Sequence, residues 1–261
     1  MRETECRILS NNRIAEGIYK LTVRLPFDFN EQCLPGQFAH IKIPFSNEHI
    51  LRRPISINSV GTFNDTVTFV YQTVGEGTDK LSHFKEGTEL KILLPQGNGF
   101  KSREGRRILL AGAGIGAAPL KHYAETNRNN AVTAVLGFRC REKAYQINDF
   151  KRVCREVIVC SDDGSIGIKA LAADAAREAM NRESFDLIVA CGPRPFLRQI
   201  ARLARETGTE CEISMEARMG CGIGACMGCN VAVKDKDGRR YYKRCCAEGP
   251  VFDSREVVFD D

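Results

Sequence analysis

The chain has 261 residues, 43% hydrophobic and 27% charged, with a formal net charge of +5. That length predicts two or three small domains with a sizeable core. No long run of Lys or Arg occurs and Trp is absent, so a nucleic-acid groove with stacked aromatics is not expected. The opening stretch "MRETECRILSNNRIAEG" has no apolar leader and no run reaches membrane-spanning length. A protein of the cytoplasm, without a membrane anchor, is the expectation.

Residues 1–100 read as strands. The alternating runs "GIYKLTVRL", "QFAHIKI", "VTFVYQTVG" and "ELKILLP" are separated by Gly/Pro turns and by few helical stretches. This pattern predicts an antiparallel barrel. Inside it lies "LRRPISIN", residues 51–58. Pro54 lacks an N–H and is out of place in a central strand without a reason. Arg53 could supply a charge-assisted phosphate contact and Ser56 a hydroxyl. On those residues alone, an exposed loop with a surface arginine is the simpler reading.

From residue 106 the pattern changes. "RRILLAGAGIGAAPLKHYAE" starts with a buried parallel strand, Ile108 to Ala111. The turn Gly112-x-Gly114-x-Gly116 follows, with a helix beginning near Pro119. Strand, glycine turn and helix N-terminus together make a pyrophosphate cradle, although tight strand–helix turns use glycine for packing alone. Further strands are "AVTAVLGF", "EVIVC", "FDLIVACG" and "ECEISME", with helices over "IKALAADAAREAMN" and "PFLRQIARLARETG", the latter stopped by Gly. Alternation of this kind predicts a parallel α/β sheet, whose ligands bind beyond the carboxyl ends of the strands. Gly112–Gly116 and "CGPRPF", Cys191–Phe196, both lie at such ends and could face one dinucleotide.

The C-terminal region carries "MGCGIGACMGC", Met219 to Cys229. Eight of the twelve cysteines are scattered: Cys6, Cys33, Cys140, Cys154, Cys160, Cys191, Cys211 and Cys245. Cys160, at the end of an apolar run, reads as a small buried hydrophobe. A disulfide framework does not suit a long chain without a leader. Cys221, Cys226 and Cys229 form C-x4-C-x2-C, and Cys246 follows beyond "KDKDGRRYYKRC". That is the plant-type [2Fe–2S] spacing; structural zinc, which favours paired C-x2-C knuckles, fits less well. Gly220, Gly222, Gly224 and Gly228 let backbone N–H groups approach sulfur closely.

The order "RPIS", "VGEGT" (Val74–Thr78), "LPQGNGF" (Leu94–Phe100), "LAGAGIGAAP" and "CGPRPF" resembles the ferredoxin–NADP reductase superfamily along the whole chain. The segment "EARMGCGIGACMGC…RCCAEGPVFD" is similar, more narrowly, to the electron-transfer subunits of dihydroorotate dehydrogenase B. The resemblance implies an FAD-binding barrel at 1–101, an NAD-binding α/β domain at 102–212 and a [2Fe–2S] subdomain at 213–261. In the superfamily the Arg-Pro-x-Ser arginine meets FAD pyrophosphate and the serine lies beside flavin N5. That assigns Arg53, Pro54, Ile55 and Ser56, with Val70, Tyr71 and Gln72 and then Gly77 and Thr78 completing the flavin site. Ile55 departs from the tyrosine that many ferredoxin reductases stack on the flavin. NAD is assigned to Gly112, Gly114, Gly116, Cys191 and Gly192. The family tail, Cys-x-x-Gly-Pro-Val, aligns Cys246 rather than Cys245 as the fourth cluster ligand.

NAD exchanges a hydride whereas a cluster passes single electrons, so FAD belongs between them. The resemblance implies an FMN-containing catalytic subunit that oxidises dihydroorotate, in an assembly of two plus two chains serving pyrimidine synthesis. Nothing in this chain reads as a dihydroorotate pocket with its own catalytic base. An NAD(P)H-dependent ferredoxin or sulfide oxidoreductase subunit is the alternative; there an aspartate commonly replaces the first cluster cysteine, and this chain has Cys221. A zinc-binding scaffold without activity is a third reading. His40, His49, His83 and His122 show no ligand spacing and read as structural or exposed. Arg139 and Arg141 stand where an acidic ribose ligand is usual and by themselves favour NADP, while the resemblance implies NAD. "SDDGSIG", Ser161–Gly167, reads first as a turn that could touch the nucleotide.

Overall fold

In the computed structural model, which describes residues 1–44, 50–61, 63 and 65–259, the N-terminal runs form six strands. They are β1 (Arg2–Ala15), β2 (Ile18–Arg24), β3 (Phe38–Ile41), β4 (Arg53–Val60), β5 (Thr66–Gln72) and β6 (Glu89–Gln96). The six close into an antiparallel barrel in the order β1-β2-β5-β4-β3-β6. Alternation sends Ile8, Leu21, Val23, Ile41, Phe69 and Ile92 into one interior, each fully buried. Burial of such a side chain is worth about 1.5–3 kcal/mol relative to exposure. One helix, α1 (Glu76–His83), packs Leu81 on that core, and Asn11 Nδ2 donates to the carbonyls of Leu81 and Phe84 at its end.

The second half is a doubly covered sheet. Its elements are β7 (Arg107–Ala113), α2 (Ala117–Thr126), β8 (Ala131–Phe138), α3 (Ile147–Lys151), β9 (Glu156–Ser161), β10 (Ile168–Lys169), α4 (Ala172–Arg182), β11 (Leu187–Cys191), α5 (Arg194–Thr207) and β12 (Glu210–Ser214). The strands run parallel in the order β10-β9-β8-β7-β11-β12. Near-continuous apolar runs in β7, β8 and β11 fit burial on both faces, with α2 and α3 on one side and α4 and α5 on the other. The helix expected from Ile168 starts instead at Ala172. Ser161 is the reason: its hydroxyl donates to Ile166 O and its carbonyl accepts from Ala170 N, drawing Ile168–Lys169 alongside β9.

The C-terminal segment is not cored separately. It forms a hairpin of β13 (Asn230–Lys234) and β14 (Arg240–Arg244), then β15 (Val251–Asp253). β15 pairs antiparallel with β12 as the seventh strand of the sheet. β12 itself runs across the boundary expected at 212/213. Cys229, Val231, Val233, Cys245 and Phe252 share one core with α4 and α5.

Two asparagines join these parts. Asn58 Nδ2 donates to Ala118 O at 2.7 Å, tying the barrel to α2. Asn98 of "LPQGNGF" donates through Nδ2 to Glu248 O and Val251 O and accepts from Val251 N at 3.0 Å. Among the described residues, no helix is long and apolar enough to cross a membrane.

Candidate redox site

β4 begins at Arg53, so "RPIS" is strand and not an exposed loop. Pro54 lies opposite His40 on β3, whereas the ladder with β5 begins only at Ile57. Ile57 N donates to Gln37 O on the β3 side. By alternation the donor that Pro54 lacks falls on the unpaired β5 side, where it costs no ladder bond. The half-buried Arg53, Ile55 and Ser56 border this opening, as does the end of β5. There Val70 turns toward the α/β core, while the Tyr71 side chain lies inside the barrel and its hydroxyl donates to Asn11 Oδ1. Tyr71 therefore has only its main chain to offer a ligand at the opening.

Arg53 lies against Gly77: a Cβ at Gly77 would fall 2.2 Å from Arg53 Nε. The guanidinium is held there by Nη1 donating to Leu51 O at 2.6 Å. Thr78 Oγ1 accepts from Val74 N and Gly75 N and donates to Gly75 O, fixing the turn that enters α1. A fixed cation thus stands beside a helix N-terminus, and both favour an anion such as pyrophosphate.

The glycine turn of the sheet is built by close packing. Cys191 is in register with Gly112, and a Cβ at Gly116 would lie 2.4 Å from Cys191 O. The turns after β7 and β11 therefore touch through backbone, Gly116 lying against Cys191 and Gly192. Tyr145, which no motif announced, donates its hydroxyl to Gly114 O and Ile115 O at 3.1 Å and holds the turn. Cys191 is buried, which pushes its thiol up to about 12 and keeps it neutral. The turn "SDDGSIG" is closed on itself: Asp163 Oδ1 accepts from Ser165 N and Oγ. Arg141 Nη2 donates to Ser165 O at 2.6 Å, so that guanidinium braces the turn.

Cys221, Cys226, Cys229 and Cys246 come together from the loop and from the turn after β14. They stand as two pairs, Cys221 with Cys226 and Cys229 with Cys246, each linked by the peptide N–H of one cysteine to the sulfur of the other. The peptide N–H groups of Ile223 and Cys226 donate to Cys221 Sγ at 3.4 and 3.3 Å. Gly224 N donates to Cys246 Sγ at 3.2 Å and Cys246 N to Cys229 Sγ at 3.4 Å. The donors on Cys221 hold its thiol down to about 6, whereas burial pushes Cys246 up to about 12. Cys226 is exposed, and Cys229 and Cys246 are buried. Cys245 points away: it is fully buried and its Sγ donates to Met215 O at 3.2 Å. Arg244 braces the loop through Nη1 to Gly224 O and holds Glu248 through Nε.

Two thiolates per iron is what a [2Fe–2S] centre needs, whereas a zinc ion gathers four ligands around one point. The two pairs and the N–H groups aimed at sulfur fit a two-iron cluster.

Residues 216–258 match the model of the iron–sulfur cluster binding domain of dihydroorotate dehydrogenase B. The dihydroorotate dehydrogenase B (NAD(+)) electron transfer subunit of Caldanaerobacter subterraneus subsp. tengcongensis is 37% identical over 256 residues, covering 98% of each chain. That of Bacillus caldolyticus is 38% identical over 258 residues, covering 96% of each. This chain belongs to the family of dihydroorotate dehydrogenase B electron-transfer subunits. It is an oxidoreductase subunit on the fold of the ferredoxin–NADP reductases. The structure of an NADH-dependent reduced ferredoxin-NADP oxidoreductase superposes with a TM-score of 0.85 at 29% identity, covering 97% of this chain and 89% of that one. A ferredoxin NADP+ reductase from Neisseria gonorrhoeae with bound FAD and NADP shares the fold, with a TM-score of 0.66 at 14% identity.

In this member of the family, sequence reasoning missed the residue that joins the barrel to the cluster loop. His40 is fully buried on β3, and a Cβ at Gly222 would fall 2.3 Å from its Nδ1 and Cε1. No spacing rule could reveal a contact between residues so far apart in sequence. Of the other histidines, His122 is buried and His83 lies on α1 with Nδ1 at 2.8 Å from Asp79 O. His49 lies outside the described residues.

Proposed function

We propose that this chain carries electrons from an FMN-containing dihydroorotate dehydrogenase catalytic subunit to NAD+, in the cytoplasm, during pyrimidine (UMP) synthesis. The observation that carries this reading is the pairing of Cys221 with Cys226 and of Cys229 with Cys246 in a member of this family, and the Arg53–Gly77 and Gly116–Cys191 contacts support it. Cys221, Cys226, Cys229 and Cys246 are the proposed ligands of a [2Fe–2S] cluster. Arg53, Pro54, Ile55, Ser56, Gly77 and Thr78, with the main chain of Val70, Tyr71 and Gln72, are the proposed FAD site. Gly112, Gly114, Gly116, Cys191 and Gly192 are proposed to take NAD. The units proposed for these tasks are residues 1–101, 102–212 and 213–261, and the assembly is two of these chains with two catalytic chains.

FAD, when bound, supplies the exchange between hydride pairs and single electrons. The chain's own residues orient and insulate. Arg53 and the first turn of α1 neutralise pyrophosphate; the Gly116–Cys191 contact lets a dinucleotide approach backbone. Cys191, a neutral buried thiol, lends soft apolar surface and no nucleophile. The N–H groups on Cys221 and Cys246 stabilise negative charge on sulfur. The exposed Cys226 side, flanked by exposed Ile223 and Met227, is where the partner would meet the cluster.

The ferredoxin-NADP oxidoreductase likeness supports a second reading, an NAD(P)H-dependent ferredoxin or sulfide oxidoreductase subunit. One experiment separates the two and tests the first. Cys226→Ser in the isolated subunit should retain electron transfer from NADH to an artificial acceptor, since that needs only the barrel and the sheet. Assembled with the dihydroorotate-oxidising subunit, the same variant should lose coupling of dihydroorotate oxidation to NAD+ reduction. Circular dichroism checks that it is folded. A folded, assembled variant that couples at the wild-type rate would overturn the reading, and failure of the wild-type chain to assemble with that subunit would favour the second.

A further inference from the structure

His40 has no task in the description above, and its surroundings are unusual for a core residue. Among the described residues, neither ring nitrogen finds a hydrogen-bond partner, and the side chain is fully excluded from solvent. Burial pushes the imidazole down to about 4, with Arg52 adding to it, so the ring is neutral and carries one N–H. A buried N–H without an acceptor bears its whole desolvation cost, and native interiors rarely leave one so. The place explains it. The ring packs on Phe38 in an edge arrangement with centroids 5.6 Å apart, and Pro54 lies opposite in register. The Nδ1–Cε1 edge abuts Gly222, the residue between Cys221 and Ile223. Gly222 has φ +71, and any Cβ there would overlap the ring.

We propose that His40 is a positioning residue for the iron–sulfur centre: its ring N–H, on a ring that abuts Gly222 of the cluster loop, donates a hydrogen bond to the sulfur of a [2Fe–2S] cluster and raises the cluster's reduction potential. This rests on the cluster assignment made above. A hydrogen bond to sulfur favours the more negative, reduced form, so losing it moves the potential down. The donor comes from the barrel, not from the cluster segment, so the flavin-bearing part of the molecule would tune the centre from which it draws electrons.

The test is a redox titration of the full chain, loaded with FAD and cluster, followed by electron paramagnetic resonance. His40→Leu should shift the cluster midpoint downward by roughly tenfold in the equilibrium constant, about 59 mV for one electron. The FAD midpoint should stay in place, and His40→Gln, which keeps an N–H, should recover most of the shift. An unchanged cluster midpoint in iron-replete His40→Leu, or a shift confined to FAD, overturns the proposal. Should His40→Leu lose its iron, wild-type protein labelled with 15N-histidine decides: the reduced cluster should show a histidine nitrogen coupling, and its absence overturns the proposal. A wild-type chain that binds no two-iron cluster refutes the cluster assignment instead.

Discussion

The molecule has two glycine-rich turns proposed to meet redox groups, and they are built on opposite principles. The turn after β7 is shaped by what presses on it: Gly116 meets the Cys191 backbone, and Tyr145 clamps the carbonyls of Gly114 and Ile115. Its neighbours are strands of a parallel sheet, so its geometry stands whether or not a ligand is bound. The cluster loop is shaped by what it points at. Its N–H groups converge on the sulfurs of Cys221 and Cys246, and outside support comes from Arg244 on Gly224 O and His40 on Gly222. One site is preorganised by packing; the other relies on its metal to complete its core. Metal binding in such a loop is part of its folding free energy.

The largest effect should come from the cluster side. Cys246→Ser removes a buried proposed ligand and should leave the chain without iron and sulfide, while flavin-dependent oxidation of NADH continues. Iron and sulfide assays beside NADH:acceptor activity read both halves, and loss of both together would break the contrast drawn here.

Glycine substitutions sharpen it. Gly222→Ala combines a left-handed residue, about 1–2 kcal/mol, with overpacking of His40, about 1–3 kcal/mol. It should lose most of its iron and roughly 2–5 kcal/mol of stability in the cluster segment. Gly116→Ala has no unfavourable φ but meets backbone, so about 1–3 kcal/mol is expected, with weakened NADH binding and full iron content. Thermal melting with iron assay distinguishes them; equal iron loss in both would mean that the loops are not independent.

Arg53→Ala tests the barrel. Losing a charge-assisted contact should weaken FAD binding by roughly 1.5–3 kcal/mol, so dialysed protein comes out depleted in FAD yet brown from its cluster. Unchanged FAD occupancy would count against the site. The smallest effect is expected for Cys245→Ser, which should keep its iron and cost about 1 kcal/mol, because a hydroxyl can still donate to Met215 O. Iron loss in this variant would place the fourth ligand at the wrong cysteine.

Much of this was legible in the chain itself, because it depends on short-range pattern. Alternation with period two marked the barrel strands, and continuous apolar runs marked β7, β8, β9 and β11. Gly208, with φ +68, stops α5 where the residue type required it. The C-x4-C-x2-C spacing marked the thiol cluster. Arg53 and Gly77, named from separate motifs, lie in contact. Local pattern erred where a local hydrogen bond overrode it, at Ile168–Lys169.

Other features were settled only when distant segments met. "LPQGNGF" gave no sign that Asn98 would fasten the tail at Glu248 and Val251, nor that Val251–Asp253 would complete the sheet beside β12. Neither composition nor spacing separates Cys245 from Cys246 as neighbours in the chain. The turn after β14 does so, sending one thiol to Met215 O and the other to the Gly224 N–H of the cluster loop. His40 and Gly222 each look ordinary where they stand in the sequence. Their contact exists because the outer face of β3 packs on the cluster loop, and a side chain's surroundings in such a long-range contact are a property of the fold, not of its neighbours along the chain.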